Sequence, residues 1–220
     1  MTVTPTRRRY TMGARADAVA RTRQQIIDAA ADRVRASAEP LTLLDVAARA
    51  GVSRATLYRH FASVTGLLDA VAADLLARAR FDRLVAALEA PDPVQALRRV
   101  IVAGTGIWAA DTALVRNLLG LARAQPEAVP VIAQLEQGRL AALERLVARL
   151  HQAGRLRGGL APARAVDLLL VITAFAAWDE LRTTRGRSAA AATAALVDLA
   201  VRAVVAGGQE RARGRRDRHA

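Results

Sequence analysis

Residues 41–68, LTLLDVAARAGVSRATLYRHFASVTGLL, constrain this chain more than any other stretch. They read as two short helices joined by a tight turn, followed by the start of a third. Val46, Ala47 and Ala50 recur at helical spacing, so the first helix has one apolar side. Gly51 ends that helix, because the residue after a helix often takes a positive φ, which glycine tolerates. Val52 fills the corner. Ser53 suits an N-cap, since its hydroxyl can accept a free backbone N–H of the next helix. Leu57 and Phe61 lie four apart and can pack back onto Val46 and Ala50, and the small Ala47 lets two helices cross closely. The second helix is left with an outer face of Arg54, Ala55, Thr56, Tyr58 and Arg59, which carries no acidic side chain. Eight residues of helix span about 12 Å, which matches a B-DNA major groove about 12 Å wide. The alternative is a helical corner that only packs. Apolar spacing, glycine, cap and basic outer face together favour a helix-turn-helix that reads DNA.

The run AARAGVSRATLYRHF, residues 47–61, resembles the DNA-binding domain of the tetracycline-repressor-like (TetR) regulators. The resemblance reaches back through a preceding helix, about residues 20–36, and forward to Leu68, roughly the first third of the chain. The L-Y-x-H-F tail of the second helix is its specific part. The remaining two thirds match only in length and helical character. The resemblance implies phosphate contacts for Tyr58, through its hydroxyl, and for His60, through a ring N–H. It also implies them for Arg21 and Arg23 at the start of the preceding helix, and for Thr42, which by its own chemistry can cap the first short helix. Arg54, Ala55, Thr56 and Arg59, just after the cap Ser53, then face the bases. Arginine can fork onto guanine, and the methyls of Ala55 and Thr56 can touch thymine; either arginine can instead hold a phosphate. In one respect the chain departs from the family. Val64 stands where a lysine is usual, three residues after the phenylalanine, which leaves backbone N–H groups after Ser63 to meet a phosphate there.

Composition settles the fold class. Hydrophobic residues make up 53% of the chain, yet alanine dominates them and aromatics are only 3%. Alanine is the best helix former and a poor strand former, so an all-α protein is expected. The expected organisation is a disordered basic arm (1–16), a three-helix helix-turn-helix DNA-binding domain (17–64), a helical effector-binding and dimerisation domain (65–207) and a basic tail (208–220), with about nine helices in total. Cysteine is absent, which excludes disulfides and thiolate metal sites. The polar, arginine-rich beginning lacks the apolar core of a secretory signal. The longest apolar stretch, near 168–178, is too short to span a bilayer. A cytoplasmic protein without a membrane partner is expected.

The formal charge is +13, and because the chain contains no lysine, arginine carries it. Residues 1–23 hold a net +5 and residues 207–220 a net +3, so the ends carry eight of the thirteen charges. Beside a helix-turn-helix, the arginines at 7–9 can track phosphates or enter the minor groove. The tail reads as a solvated charge run.

Beyond the reading head, helices are expected over 64–88, 93–109, 111–124, 131–153, 162–183 and 188–206. Asp92 with Pro93 is a strong start signal. Gly104 and Gly106 inside one helix permit either close crossing or room for a ligand. Helix 162–183 is apolar nearly all round and requires burial on more than one side. Two apolar helices at the end suggest self-association into a four-helix interface, and a homodimer suits two half-sites of a pseudo-palindromic operator. The resemblance further implies a pocket for a small-molecule effector among the middle helices. Trp108, Leu118, Leu121, Phe175 and Trp178 can line it or simply form core. Asn117, Thr173 and Asp179, polar on apolar helices, can orient a ligand, and Asp179 can equally pair with Arg182.

The function expected is a sequence-specific DNA-binding regulator, a homodimeric repressor released from its operator by the effector. The alternative is a DNA-binding regulator with no small-molecule effector, controlled by a partner protein or by its own abundance. An enzyme is disfavoured. The only histidines are His60, His151 and His219, and no metal-ligand cluster, phosphate loop or nucleophile elbow is present. No catalytic residue, cofactor or metal is expected.

Overall fold

The computed structural model describes residues 6–207, with side chains from Arg15 onward. The side chains of Arg7, Arg8 and Arg9 and the tail 208–220 lie outside the described residues. The described chain folds into α1 (Thr6–Ala36), α2 (Leu43–Ala50), α3 (Arg54–His60), α4 (Val64–Arg78), α5 (Phe81–Leu88), α6 (Pro93–Ala110), α7 (Thr112–Ala124), a 3₁₀ turn (Pro126–Ala128), α8 (Val129–Gln152), α9 (Pro162–Ile172), α10 (Phe175–Thr183) and α11 (Ala189–Val204). The protein is all-α, as its composition requires. No single described helix is long and apolar enough to cross a membrane.

Three expected boundaries move, each for a local reason. The first helix begins at Thr6, so from Thr6 to Ala16 the expected disordered arm is helix; arginine, methionine and alanine are good helix formers, and Pro5 lies just outside it. The expected helix 64–88 is two helices. Between them Arg80 takes a left-handed conformation (φ 59°, ψ 54°). Its guanidinium grips both oxygens of Asp82 at 3.1 and 3.0 Å.

The expected helix 162–183 is also two. The Thr173 hydroxyl turns back to the Leu169 carbonyl at 2.6 Å. The backbone then becomes extended at Ala174. Arg139 of α8 donates to the carbonyl of Leu170 at 3.1 Å and to the Thr173 hydroxyl at 3.5 Å. A buried hydroxyl that bonds its own helix, together with a cation that donates to the loosened turn, ends a helix without glycine or proline. These two breaks raise the helix count above nine.

Contacts divide the chain into two units. One takes in the chain up to Asp74 together with Ala113–Ile132; the other is Leu75–Thr112 and the chain from Ala133 onward. In the first unit, Ile26, Ile27, Ala30 and Val34 of α1 form a buried stripe with Val46, Ala47 and Ala50 of α2, Leu57 of α3, Phe61, and Leu67, Leu68 and Val71 of α4. The link between α1 and α2 is held by the α7 end. Asn117 donates its amide to the carbonyls of Val34 and Arg35 at 2.8 and 2.9 Å, capping the last turn of α1. At Gly120 a Cβ would sit 3.1 Å from the Cβ of Ala38, so the residue must be small. The Gln125 amide, itself buried, accepts from Leu41 N–H at 3.0 Å and donates to its carbonyl at 2.9 Å.

The second unit has its own core. Leu97, Val100 and Ile101 of α6 and Leu143, Leu146, Val147 and Leu150 of α8 pack with Leu169 of α9, Trp178 of α10 and Ala192, Leu196 and Ala200 of α11. Arg149 of α8 donates to the carbonyls of Leu88 and Ala90, satisfying acceptors left free where α5 ends. Arg145 pairs with Glu89 at 2.7 Å. Gly104 meets only ordinary contact, with Leu84 at 3.8 Å, and Gly106 meets nothing within 4 Å, so close crossing explains neither glycine. The helix of 162–172 is less enclosed than its composition suggests: Val171 is 73% exposed.

Gln125→Leu keeps the volume but leaves two buried backbone groups of Leu41 unpaired. It is expected to lower the free energy of unfolding by about 1–3 kcal/mol, read by urea denaturation followed by circular dichroism.

Candidate nucleic-acid interface

The short helices are built by their caps. Thr42 and Asp45 form a reciprocal box. The Thr42 hydroxyl oxygen accepts from Asp45 N–H at 3.1 Å, and the Asp45 carboxylate accepts from Thr42 N–H at 3.1 Å and from its hydroxyl at 2.7 Å. At the far end of α2, Gly51 takes φ 65°. The Gly51 and Val52 N–H groups return to the carbonyls of Ala48 and Ala47 at 3.2 and 3.1 Å. Ser53 then caps α3, accepting from Thr56 N–H at 3.1 Å, and its hydroxyl lies 3.0 Å from that of Thr56.

This turn fixes which side of α3 faces out. Leu57 is fully buried and Phe61 nearly so. Arg54, Ala55, Tyr58 and Arg59 are exposed, Tyr58 at 44%, while Thr56 and His60 are half-buried. Helix α3 has seven residues, one fewer than expected. Arg54 lies over the Tyr58 ring at 5.4 Å from its centroid, so the two exposed groups support one another. Arg21 and Arg23 are exposed on α1, and Arg23 stacks over the Phe61 ring at 4.9 Å. One cation of α1 is thereby held against the end of α3, a pairing that sequence spacing does not reveal.

Several predicted site residues are already engaged. Both donors of Thr42 are taken by Asp45, so Thr42 sets the start of α2. Ser53 does the same for α3. The Nε2 of His60 is buried without a hydrogen-bond partner. At the start of α4, beside Val64, the Gly66 N–H is taken by the Ser63 hydroxyl at 3.1 Å.

The residues expected around an effector are divided between the two units. Asn117 caps α1, and Leu118 and Leu121 are buried core; all three belong to the first unit. Thr173 is spent on the α9–α10 break. Trp108, Phe175 and Trp178 of the second unit do converge, with ring centroids 5.8 to 6.2 Å apart. The Trp178 indole N–H donates to Thr193 at 3.2 Å, and Thr193 bonds Thr105 at 3.0 Å. Asp179 precedes Arg182 by one helical turn, and Arg182 itself donates to Thr112 at 3.0 Å and lies over the Trp178 ring at 4.8 Å.

Residues 26–71 match the family model for bacterial regulatory proteins of the tetR family. No curated protein matches the chain by sequence. Among solved structures, the chain is similar to NalD of Pseudomonas aeruginosa, the secondary repressor of the MexAB-OprM multidrug efflux pump (TM-score 0.65, 22% identity, covering 86% of this chain and 98% of that one). It is similar to SmeT, the repressor of the Stenotrophomonas maltophilia efflux pump SmeDEF (0.63, 22%, 84% and 91%). It is also similar to the regulator FadR of Bacillus subtilis in complex with stearoyl-CoA (0.66, 20%, 81% and 97%). At these identities the likeness is one of fold.

The hydrogen bond from the Thr42 hydroxyl, with that from its N–H, holds the Asp45 carboxyl below its ordinary value. A depressed carboxyl stabilises the fold above the ordinary carboxylate pKa, about 3.9, and loses that contribution as pH falls through the lowered value. Thr42→Val should move the Asp45 midpoint up toward the ordinary value, measured by carboxyl-carbon NMR titration.

Proposed function

Because residues 26–71 are those of the tetR family of bacterial regulatory proteins, we propose that the chain is a sequence-specific DNA-binding transcriptional regulator. It works as a homodimeric repressor that a small-molecule effector releases from its operator. The observation that carries this reading is the outward face of α3, where Arg54, Ala55, Tyr58 and Arg59 stand clear of a helix pinned by Leu57 and Phe61. Seven residues of helix span about 10 Å, short enough to enter a major groove.

In this reading Arg54, Ala55, Thr56 and Arg59 meet base edges. Tyr58, His60, Arg21 and Arg23 meet phosphates, and Thr42 and Ser53 fix the helices that carry them. Arg54 stacked on Tyr58 enters the groove with part of its rotamer freedom already lost, which lowers the entropy cost of contact. Phosphate contacts set register and affinity, and base contacts set sequence preference. The arginine-rich beginning adds counterion release.

The second unit is the sensor and the pairing surface. Val171 of α9 and Leu199 of α11 are large apolar side chains left 73% and 52% exposed, and a second copy covers them. Two copies place two α3 helices against a pseudo-palindrome. The effector binds the geometry that cannot span both half-sites more tightly than the one that can; its difference in affinity is what releases DNA.

Selection of random duplexes by the purified protein tests the core of this proposal. Recovery of an inverted repeat supports it, and an unenriched pool at moderate ionic strength refutes it. Tyr58→Phe should weaken binding several-fold on every duplex while preserving the order of preference, measured by fluorescence anisotropy. Val171→Arg with Leu199→Arg should convert a dimer to a monomer in sedimentation velocity and abolish tight operator binding.

A further inference from the structure

Arg182 is a cation that the proposed mechanism leaves without a task. Among the described residues its guanidinium makes one hydrogen bond, to the Thr112 hydroxyl, and it lies over the fully buried Trp178 ring. Its Nε is buried and has no hydrogen-bond partner. Among the described residues it forms no ion pair with a carboxylate. A buried N–H without an acceptor is costly, more so on a charged group. Other arginines of this unit are engaged: Arg139 and Arg149 cap helix carbonyls, Arg145 pairs with Glu89, and Arg155, whose Nε is also buried without a partner, has Asp92 at 3.8 Å to balance its charge.

What surrounds Arg182 is unusual for this chain. The only two tryptophans, Trp108 and Trp178, and one of three phenylalanines, Phe175, form a single cluster. Trp108 and Phe175 are only half-buried, so ring surface remains at its edge. Thr112, which receives the Arg182 donor, itself donates to the Trp108 carbonyl at 3.0 Å, so guanidinium and ring edge are tied together. The indole N–H of Trp178 is already satisfied by Thr193. The cluster therefore offers flat apolar surface beside one under-used fork of donors, and no acidic group paired to that fork.

We propose that this site binds a small arylalkyl carboxylate, its ring against Trp108 and Phe175 and its carboxylate on Arg182. Guanidinium and carboxylate match in shape and charge, giving two parallel charge-assisted hydrogen bonds. The ring supplies apolar burial and edge-to-face contact. This rests on reading the chain as an effector-responsive regulator and names the chemical class of that effector.

Both tryptophans lie in the cluster, so tryptophan emission reports on this site alone. The test titrates the full-length protein with phenylacetate, 3-phenylpropionate and 4-phenylbutyrate, and in parallel with the three corresponding amides. Tryptophan emission is followed together with anisotropy of a bound operator duplex. The proposal expects saturable emission change for at least one carboxylate, at least about tenfold tighter than for its amide. In Arg182→Gln, acid and amide should bind alike, with Arg182→Lys between, all variants keeping wild-type helical content and operator affinity. No saturable response to any of the three carboxylates overturns it, as does an amide that binds as well as its acid, or a preference that survives Arg182→Gln. An amide that binds equally and still releases operator overturns the carboxylate assignment alone, leaving effector control intact. Loss of operator binding by the unliganded wild type instead strikes the DNA-binding reading.

Discussion

Leu57 lies fully buried beneath a recognition helix only seven residues long, and on that burial the candidate interface depends. A helix so short is not stable in water by its own hydrogen bonds. It persists because Leu57 and Phe61 are buried, and because Ser53 satisfies one of its free N–H groups. The same burial decides the outward face: once Leu57 points in, Arg54, Tyr58 and Arg59 have nowhere to go but out. Stability and recognition are thus two consequences of one rotational setting.

That setting is reinforced from a distance in sequence. The link between α1 and α2 carries polar backbone that no helix satisfies, and α7 with the residue after it supplies what is missing. Asn117 closes the α1 carbonyls, Gly120 admits Ala38, and Gln125 mimics a strand partner for Leu41. Such groups are inexpensive to satisfy and costly to leave unmade. Three residues more than 75 positions away therefore help hold the entry to the helix-turn-helix.

Much of the reading head was legible beforehand. Gly51 was readable because a positive φ is a demand on one residue. Thr42 and Ser53 were readable because capping is a short-range bond, and Val46, Ala50 and Leu57 because period 3.6 marks a face. The expected ligand group was less legible. A polar residue on an apolar helix announces only that it needs a partner. For Asn117 the partner is the end of α1; for Thr173 it is its own helix and Arg139. The aromatic trio was named by type, yet its convergence with Arg182 rests on how α6 and α10 meet.

The all-α class, the helix-turn-helix and the caps and stop of its short helices follow from the order of residues alone, since each rests on propensity, periodicity or a bond spanning five positions or fewer. Tertiary structure alone decided the employment of Asn117, Gln125, Arg139 and Arg149, and the seating of Arg182 on Thr112 and Trp178. In most of these a long polar side chain is matched to a group dozens of residues away, and such a match exists only after the backbone has brought the two within about 3 Å.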